Sequence, residues 1–152
     1  MGKNLFVDYG NNILIQPNRT YTELTFEKWC EDNETVKWYY KNGDKGDDYF
    51  SLVYRMAFRR SNFYPDYIVG MGNGDIWIIE AKGGMTADGS SNNIDRYAGR
   101  KFEALKEYGS RHPEIRWGFV RTVGTQLYLS NTVWAEDVTN QNVWKVIEQF
   151  IG

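Results

Sequence analysis

Cysteine and histidine are almost missing from this chain, which carries one of each, Cys30 and His112. One cysteine excludes an intramolecular disulfide and any zinc site built on several thiolates. One histidine excludes metal sites of the HExxH kind. A Ser or Cys nucleophile would have to draw its base from His112, which stands before Pro113 in a polar turn. Proline is scarce, with 3 residues, and no Pro-rich linker, repeat or low-complexity tract divides the chain. No apolar run approaches the roughly 18 residues of a membrane-spanning helix. The opening stretch, MGKNLFVDYGNN, lacks the apolar core of a secretory signal, which points to the cytoplasm. No GxxxxGK[ST] loop occurs, so P-loop ATP hydrolysis is excluded. Hydrolytic chemistry, if present, has to rest on carboxylates, lysines and a hard metal ion.

What is abundant is aromatic. Phe, Tyr and Trp make up 16% of the 152 residues, enough for a packed core and against disorder. The net charge of −2 does not by itself advertise a nucleic-acid partner. The distribution says more: Arg55, Arg59 and Arg60 cluster in RMAFRR, and Arg96, Arg100, Lys101 and Lys106 stud a later segment.

Residues 1–20 read as an arm or edge strand. A helix over about 22–33, capped by Thr20 or Thr22, carries Phe26, Trp29 and Cys30 on one stripe. Strands follow over 36–40, 49–54, 64–71 and 75–82, the last two joined at Asn73-Gly74, a strong hairpin signal. Residues 83–93 form a Gly/Ser/Asn-rich loop. A second helix runs from Asn92 or Asn93 to Gly109, a glycine placed where a C-cap belongs. Strands over 115–123 and 126–130 precede a last amphipathic helix over 139–151. This order predicts an α/β domain with a mixed central sheet, its first strands antiparallel and a later one returned by a helical crossover.

One pattern carries chemistry. Pro65-Asp66 opens one strand and Glu80-Ala81-Lys82 closes the next. Alternation places Glu80 and Lys82 on one face, and the hairpin returns Asp66 to the end of the second strand. DIWIIEAK is apolar on both faces until Glu80, so these charges appear at the end of a buried strand. Two adjacent carboxylates repel unless a cation offsets them. Mg2+ takes one or two carboxylates with water and phosphate oxygen, and Asp66, Glu80 and the Ala81 carbonyl offer such a donor set. Lys82 then holds the attacking water or stabilises developing oxyanion charge, which is what phosphodiester hydrolysis needs.

The unit FYPDYIV, hairpin, GDIWIIEAK, Gly-rich loop and helix resembles the PD-(D/E)XK nuclease superfamily. The longer run of EKWCED, VKWYYKNGD, a YF-containing strand and YPDYIV is similar to the C-terminal endonuclease domain of type III restriction enzymes and related helicase-fused nucleases, over about residues 20–123. The resemblance implies a restriction-endonuclease-like α-β-β-β-α-β core and Mg2+-dependent cleavage of double-stranded DNA, with Mn2+ as a substitute. It carries over Asp66, Glu80 and Lys82 as the catalytic trio, with an assisting glutamate on the first helix: Glu23, and Glu27 behind it. It further implies a nuclease module over 21–152 excised from a larger protein. That protein would carry a helicase-like ATPase motor and act with a methyltransferase or specificity subunit. Lys101, Arg59, Arg60 and Arg96 are the candidates for DNA phosphates, and Gln126 reads as an ordinary edge residue. Two other readings stay open: an idle DNA-binding or assembly domain of the same shape, and a nuclease for branched DNA or RNA.

Overall fold

The computed structural model describes residues 3, 19–43, 50–56, 59–84 and 97–151. The first helix, α1 (Tyr21–Asp32), is capped by Thr20, whose Oγ1 accepts the Glu23 N–H at 3.1 Å. Strand β1 (Val36–Lys41) follows, then a hairpin of β2 (Leu52–Met56) and β3 (Arg59–Phe63). Next come β4 (Tyr67–Met71), β5 (Ile76–Ala81), α2 (Ala98–Arg111), β6 (Ile115–Val123), β7 (Gln126–Ser130) and β8 (Lys145–Val146). Among the described residues six strands form one mixed sheet in the order β1-β4-β5-β6-β7-β8. Among the described strands only β5 and β6 run parallel, and α2 lies on the connection between them. Among the described residues no helix is long and apolar enough to cross a membrane.

Alternation along the strands splits the core in two. Trp77, Ile79 and Ala81 of β5 pack with Tyr67 and Val69 of β4 and with Phe26 and Cys30 of α1. Ile78 points the other way, toward Phe102 and Leu105 of α2, Tyr54 and Phe63 of the hairpin, and Trp144. A strand buried on both faces reads as a continuous apolar run, and IWII is that run.

Four sequence expectations need correction. The strand expected over 49–54 lies at 52–56 and leaves the main sheet, pairing instead with β3, which the sequence had not revealed. Asn42 diverts the chain here, its amide donating to the Phe50 and Pro65 carbonyls at 2.7 and 3.0 Å. The hairpin β4–β5 closes through a three-residue loop, with Met71 N–H on the Asp75 carbonyl at 2.9 Å and Gly74 at φ 94°. A glycine at positive φ ends such a loop without steric cost. The pairing Tyr67↔Ile79 therefore sets Asp66 opposite Glu80, one residue away from a two-residue turn's register. Gly109 is not a cap: it lies inside α2, where a Cβ would stand 2.4 Å from Trp117 Cδ1.

The final helix is also absent. Residues 139–151 hold turns, β8 and a short 3-10 turn over Ile147–Gln149. Side-chain oxygens supply the alternative hydrogen bonds: Asp137 accepts the Thr139 N–H at 2.9 Å and Asn140 the Asn142 N–H at 3.1 Å. Trp144, Ile147 and Ile151 are buried regardless. The arm expected over 1–20 and the loop over 83–93 fall mostly outside the described residues. Lys3 is described, and its carbonyl accepts the Tyr39 N–H of β1 at 3.0 Å.

Candidate active site

The charged residues gather where β4 begins and β5 ends, beside the first turn of α1. Pro65 has no N–H to give to a ladder and precedes Asp66, which stands just ahead of β4. The Asp66 N–H donates to Glu80 Oε1 at 3.1 Å, and Asp66 Oδ2 accepts the Ala81 N–H at 2.9 Å. The aspartate side chain thus continues the ladder that the strand no longer supplies. In an extended strand the N–H and C=O of one residue point the same way, so the Ala81 carbonyl also faces the Asp66 side. The Lys82 ammonium is 2.7 Å from Glu80 Oε2.

Helix α1 brings the next carboxylate. Thr20 Oγ1 holds Glu23 at both ends of the residue, accepting its N–H and donating to Oε1 at 3.1 Å. A carboxylate in the first turn is favoured by the unpaired N–H groups there. Glu23 Oε2 is 3.2 Å from Lys41 Nζ, and the same ammonium is 3.0 Å from Asp66 Oδ1. Glu23, Asp66, Glu80, Ala81 and Lys82 line one cavity of about 660 Å3, with Arg19 at its margin. Glu27 faces elsewhere, accepting from Arg19 Nε at 2.6 Å and bonding the Tyr67 hydroxyl.

Burial shapes the electrostatics. Glu80 is 5% exposed, and desolvation, reinforced by the charge on Asp66, pushes its carboxyl up to about 8 against the pull of Lys82. Burial alone would lower the Lys41 ammonium, yet Asp66 and Glu23 outweigh it and hold the group above its ordinary value. Arg19 behaves alike, burial opposing and Glu27 prevailing. Asp66 Oδ1 and Oδ2 accept from Lys41 and the Ala81 N–H, and Glu80 Oε1 and Oε2 from the Asp66 N–H and Lys82; a carboxylate oxygen can take more than one such partner. Among the described residues no group of three His, Cys, Asp or Glu side chains forms a ready metal cage. Mg2+ does not need one, since one or two carboxylates, a carbonyl and water or phosphate oxygens suffice. The donor set of Asp66, Glu80 and the Ala81 carbonyl is hard, anionic and close-set, and it fits such an ion.

The basic candidates lie apart. The Lys101 ammonium sits over the rings of Tyr54 and Phe63, 5.6 and 5.7 Å from their centroids. Arg59 and Arg60 are exposed on β3; Arg60 borders a second, open cavity beside Arg100 and Trp134. Arg96 lies outside the described residues. Gln126 starts β7 and donates to the Leu127 carbonyl and Glu148. None of the described four lines the cavity that holds Asp66.

Three residues of this neighbourhood escaped the sequence reading. Lys41 ends a strand dominated by aromatic residues. Arg19 precedes the helix, and its Nη1 is buried with no hydrogen-bond partner among the described residues. Arg121, fully buried on β6, donates from Nε to the Gly83 carbonyl at 2.8 Å, just past Lys82. An arginine inside the apolar run of β6 was a readable signal; the contacts of Lys41 and Arg19 were not.

Fold and site together define an α/β protein with a mixed six-stranded sheet and a cavity at the carboxyl end of β5, lined by carboxylates, the Lys82 ammonium and the Arg19 guanidinium. No protein-family model matches the chain, and no similarity to a curated protein or to a solved structure reaches significance.

Proposed function

We propose that the chain is a Mg2+-dependent nuclease domain of restriction-endonuclease-like architecture that hydrolyses phosphodiester bonds in double-stranded DNA. The observation that supports this reading is the convergence of Asp66, Glu80 and Lys82 in one cavity with Glu23. A buried carboxylate beside a half-buried one is costly, and a site that keeps both suits a cation. Asp66, Glu80 and the Ala81 carbonyl would hold the ion, which when bound lowers the pKa of water and screens developing charge. Lys82 orients the attacking water or the departing oxyanion through its ammonium. Glu23, tied to Thr20, keeps Lys41 and Asp66 in place. Arg19 brings a guanidinium, a group suited to phosphate oxygen, to the cavity margin. Arg59, Arg60 and Lys101 are assigned to the phosphates of a longer duplex. A helicase-like motor and a methyltransferase partner belong to the same reading.

Incubation of supercoiled plasmid with the chain and Mg2+ or Mn2+ tests it. The parent should nick or linearise the DNA only with the ion, and Asp66→Ala or Lys82→Ala should lose about 10²-fold or more of the rate at unchanged circular dichroism. Variants that cut like the parent would show that this cavity is not the active site. DNA binding without cleavage under either ion would favour an idle assembly domain. Preference for a four-way junction or RNA would reassign the substrate.

A further inference from the structure

The strand β1 places one ammonium where two elements present carboxylates to each other. Lys41 Nζ lies 3.0 Å from Asp66 Oδ1 and 3.2 Å from Glu23 Oε2, with the side chain 18% exposed. It also stands 5.2 Å from the ring centroid of Tyr67, so the contact is fixed from a third side. The other oxygen of Asp66 is committed to the Ala81 N–H. Oδ1 is therefore the Asp66 oxygen most open to exchange, and Lys41 holds it.

We propose that Lys41 is the built-in counter-ion of this site: its ammonium occupies the cation position between Glu23 and Asp66, and it competes with a divalent ion for Asp66. The inference rests on the metal-dependent reading above and adds a residue and a role to it. Charge supports it. Once Glu80 is ionised, as metal ligation requires, Glu23, Asp66 and Glu80 face Lys41 and Lys82, so three carboxylates meet two ammonium groups and one negative charge remains. A divalent ion added without rearrangement reverses that sign and sets like charges side by side in a poorly solvated cavity. Withdrawal of one ammonium relieves this. Lys41 bridges two acids, so its release frees both together. The site is thereby held together without metal, and its affinity for the ion is set by exchange of one cation for another.

Mn2+ binding to the full chain, read by electron paramagnetic resonance or calorimetry, tests the competition without any activity measurement. Lys41→Met keeps the apolar stem and removes the charge. It should lower the Mn2+ dissociation constant by about tenfold or more, while the charge-retaining Lys41→Arg gives no such gain. Lys41→Met binding no tighter than the parent overturns the counter-ion role and leaves the metal site standing. Absence of Mn2+ binding in parent and variant alike overturns both. Should Lys41→Met fail to fold, the parent decides: its Lys41 Nζ proton signal, protected by the two carboxylates, should lose that protection at saturating Mg2+. A signal unchanged at saturation sinks the proposal.

Discussion

Glu80 is a buried acid whose protonation is linked to folding. Its ordinary pKa of 4.5 rises to about 8 in the folded chain, through desolvation first and the nearby Asp66 second. Between those values the folded state holds a proton that the unfolded state has released. Stability must then fall as pH rises through this window, because the native state binds more protons than the unfolded one. Below the unfolded value both states are protonated and the contribution is fully present. Glu80→Gln keeps an oxygen to accept the Asp66 N–H and removes the titration. Its denaturant midpoint should vary less with pH than the parent's from about 4.5 to about 8; equal slopes would assign the dependence to another group. Asp66, Glu80 and Lys82 were legible in the sequence because they flank one hairpin, where period-two alternation fixes which side chains meet. Lys41 was not, since its contact with Asp66 spans 25 residues and depends on which strand lies beside β4.

At the level of elements, α2 and β6 meet through Gly109 and Trp117. Helix propensity alone favours Gly109→Ala by about 1 kcal/mol. Packing opposes it, because the added Cβ would stand 2.4 Å from Trp117 Cδ1 and 2.6 Å from its Nε1. That indole is 9% exposed and set edge-on to Phe102 at 5.1 Å, so it has little room to turn. Overpacking a core costs about 1–3 kcal/mol, and the clash should prevail. Gly109→Ala is expected to destabilise by about 1–2 kcal/mol net in urea unfolding; a stabilised variant would mean that the indole yields. The glycine looked like a cap because local pattern places it near a helix end. Only the strand that returns beneath the helix gives it a different task. The C-terminal segment shows the same limit from the other side. Apolar residues at helical spacing predict a helix there; their burial follows, but side chain to backbone hydrogen bonds at Asp137 and Asn140 turn the chain instead.

Across the whole molecule, Arg121 joins parts distant in sequence. Its guanidinium donates to the carbonyls of Gly83, Ala135 and Glu136 at 2.8, 3.0 and 2.7 Å. It also lies 5.3 and 5.1 Å from the ring centroids of Trp134 and Trp144. Burial lowers its pKa to about 10, still charged at neutral pH. The arginine thus ties the exit of β5, immediately after Lys82, to the segment that covers the α2 face. Arg121→Met fills the volume but leaves three carbonyls without this donor. A loss of about 2–4 kcal/mol in denaturant unfolding follows from such unsatisfied groups, with altered tryptophan emission. A change under about 0.5 kcal/mol, the range of ordinary surface substitutions, would show that the carbonyls find other donors.

The sequence by itself determined the α/β class, the order of the central elements from β4 to β7, the two-sided burial of β5 and the placement of Asp66, Glu80 and Lys82 at one end of a hairpin. Each of these follows from neighbours in the chain: alternation, turn chemistry and capping act over a few residues. Tertiary structure decided the departure of β2 and β3 into a separate hairpin, the loss of the last helix, the packing role of Gly109 and the cation bridge of Lys41. Those outcomes depend on which surfaces meet across the fold, where desolvation and steric contact outweigh local preference.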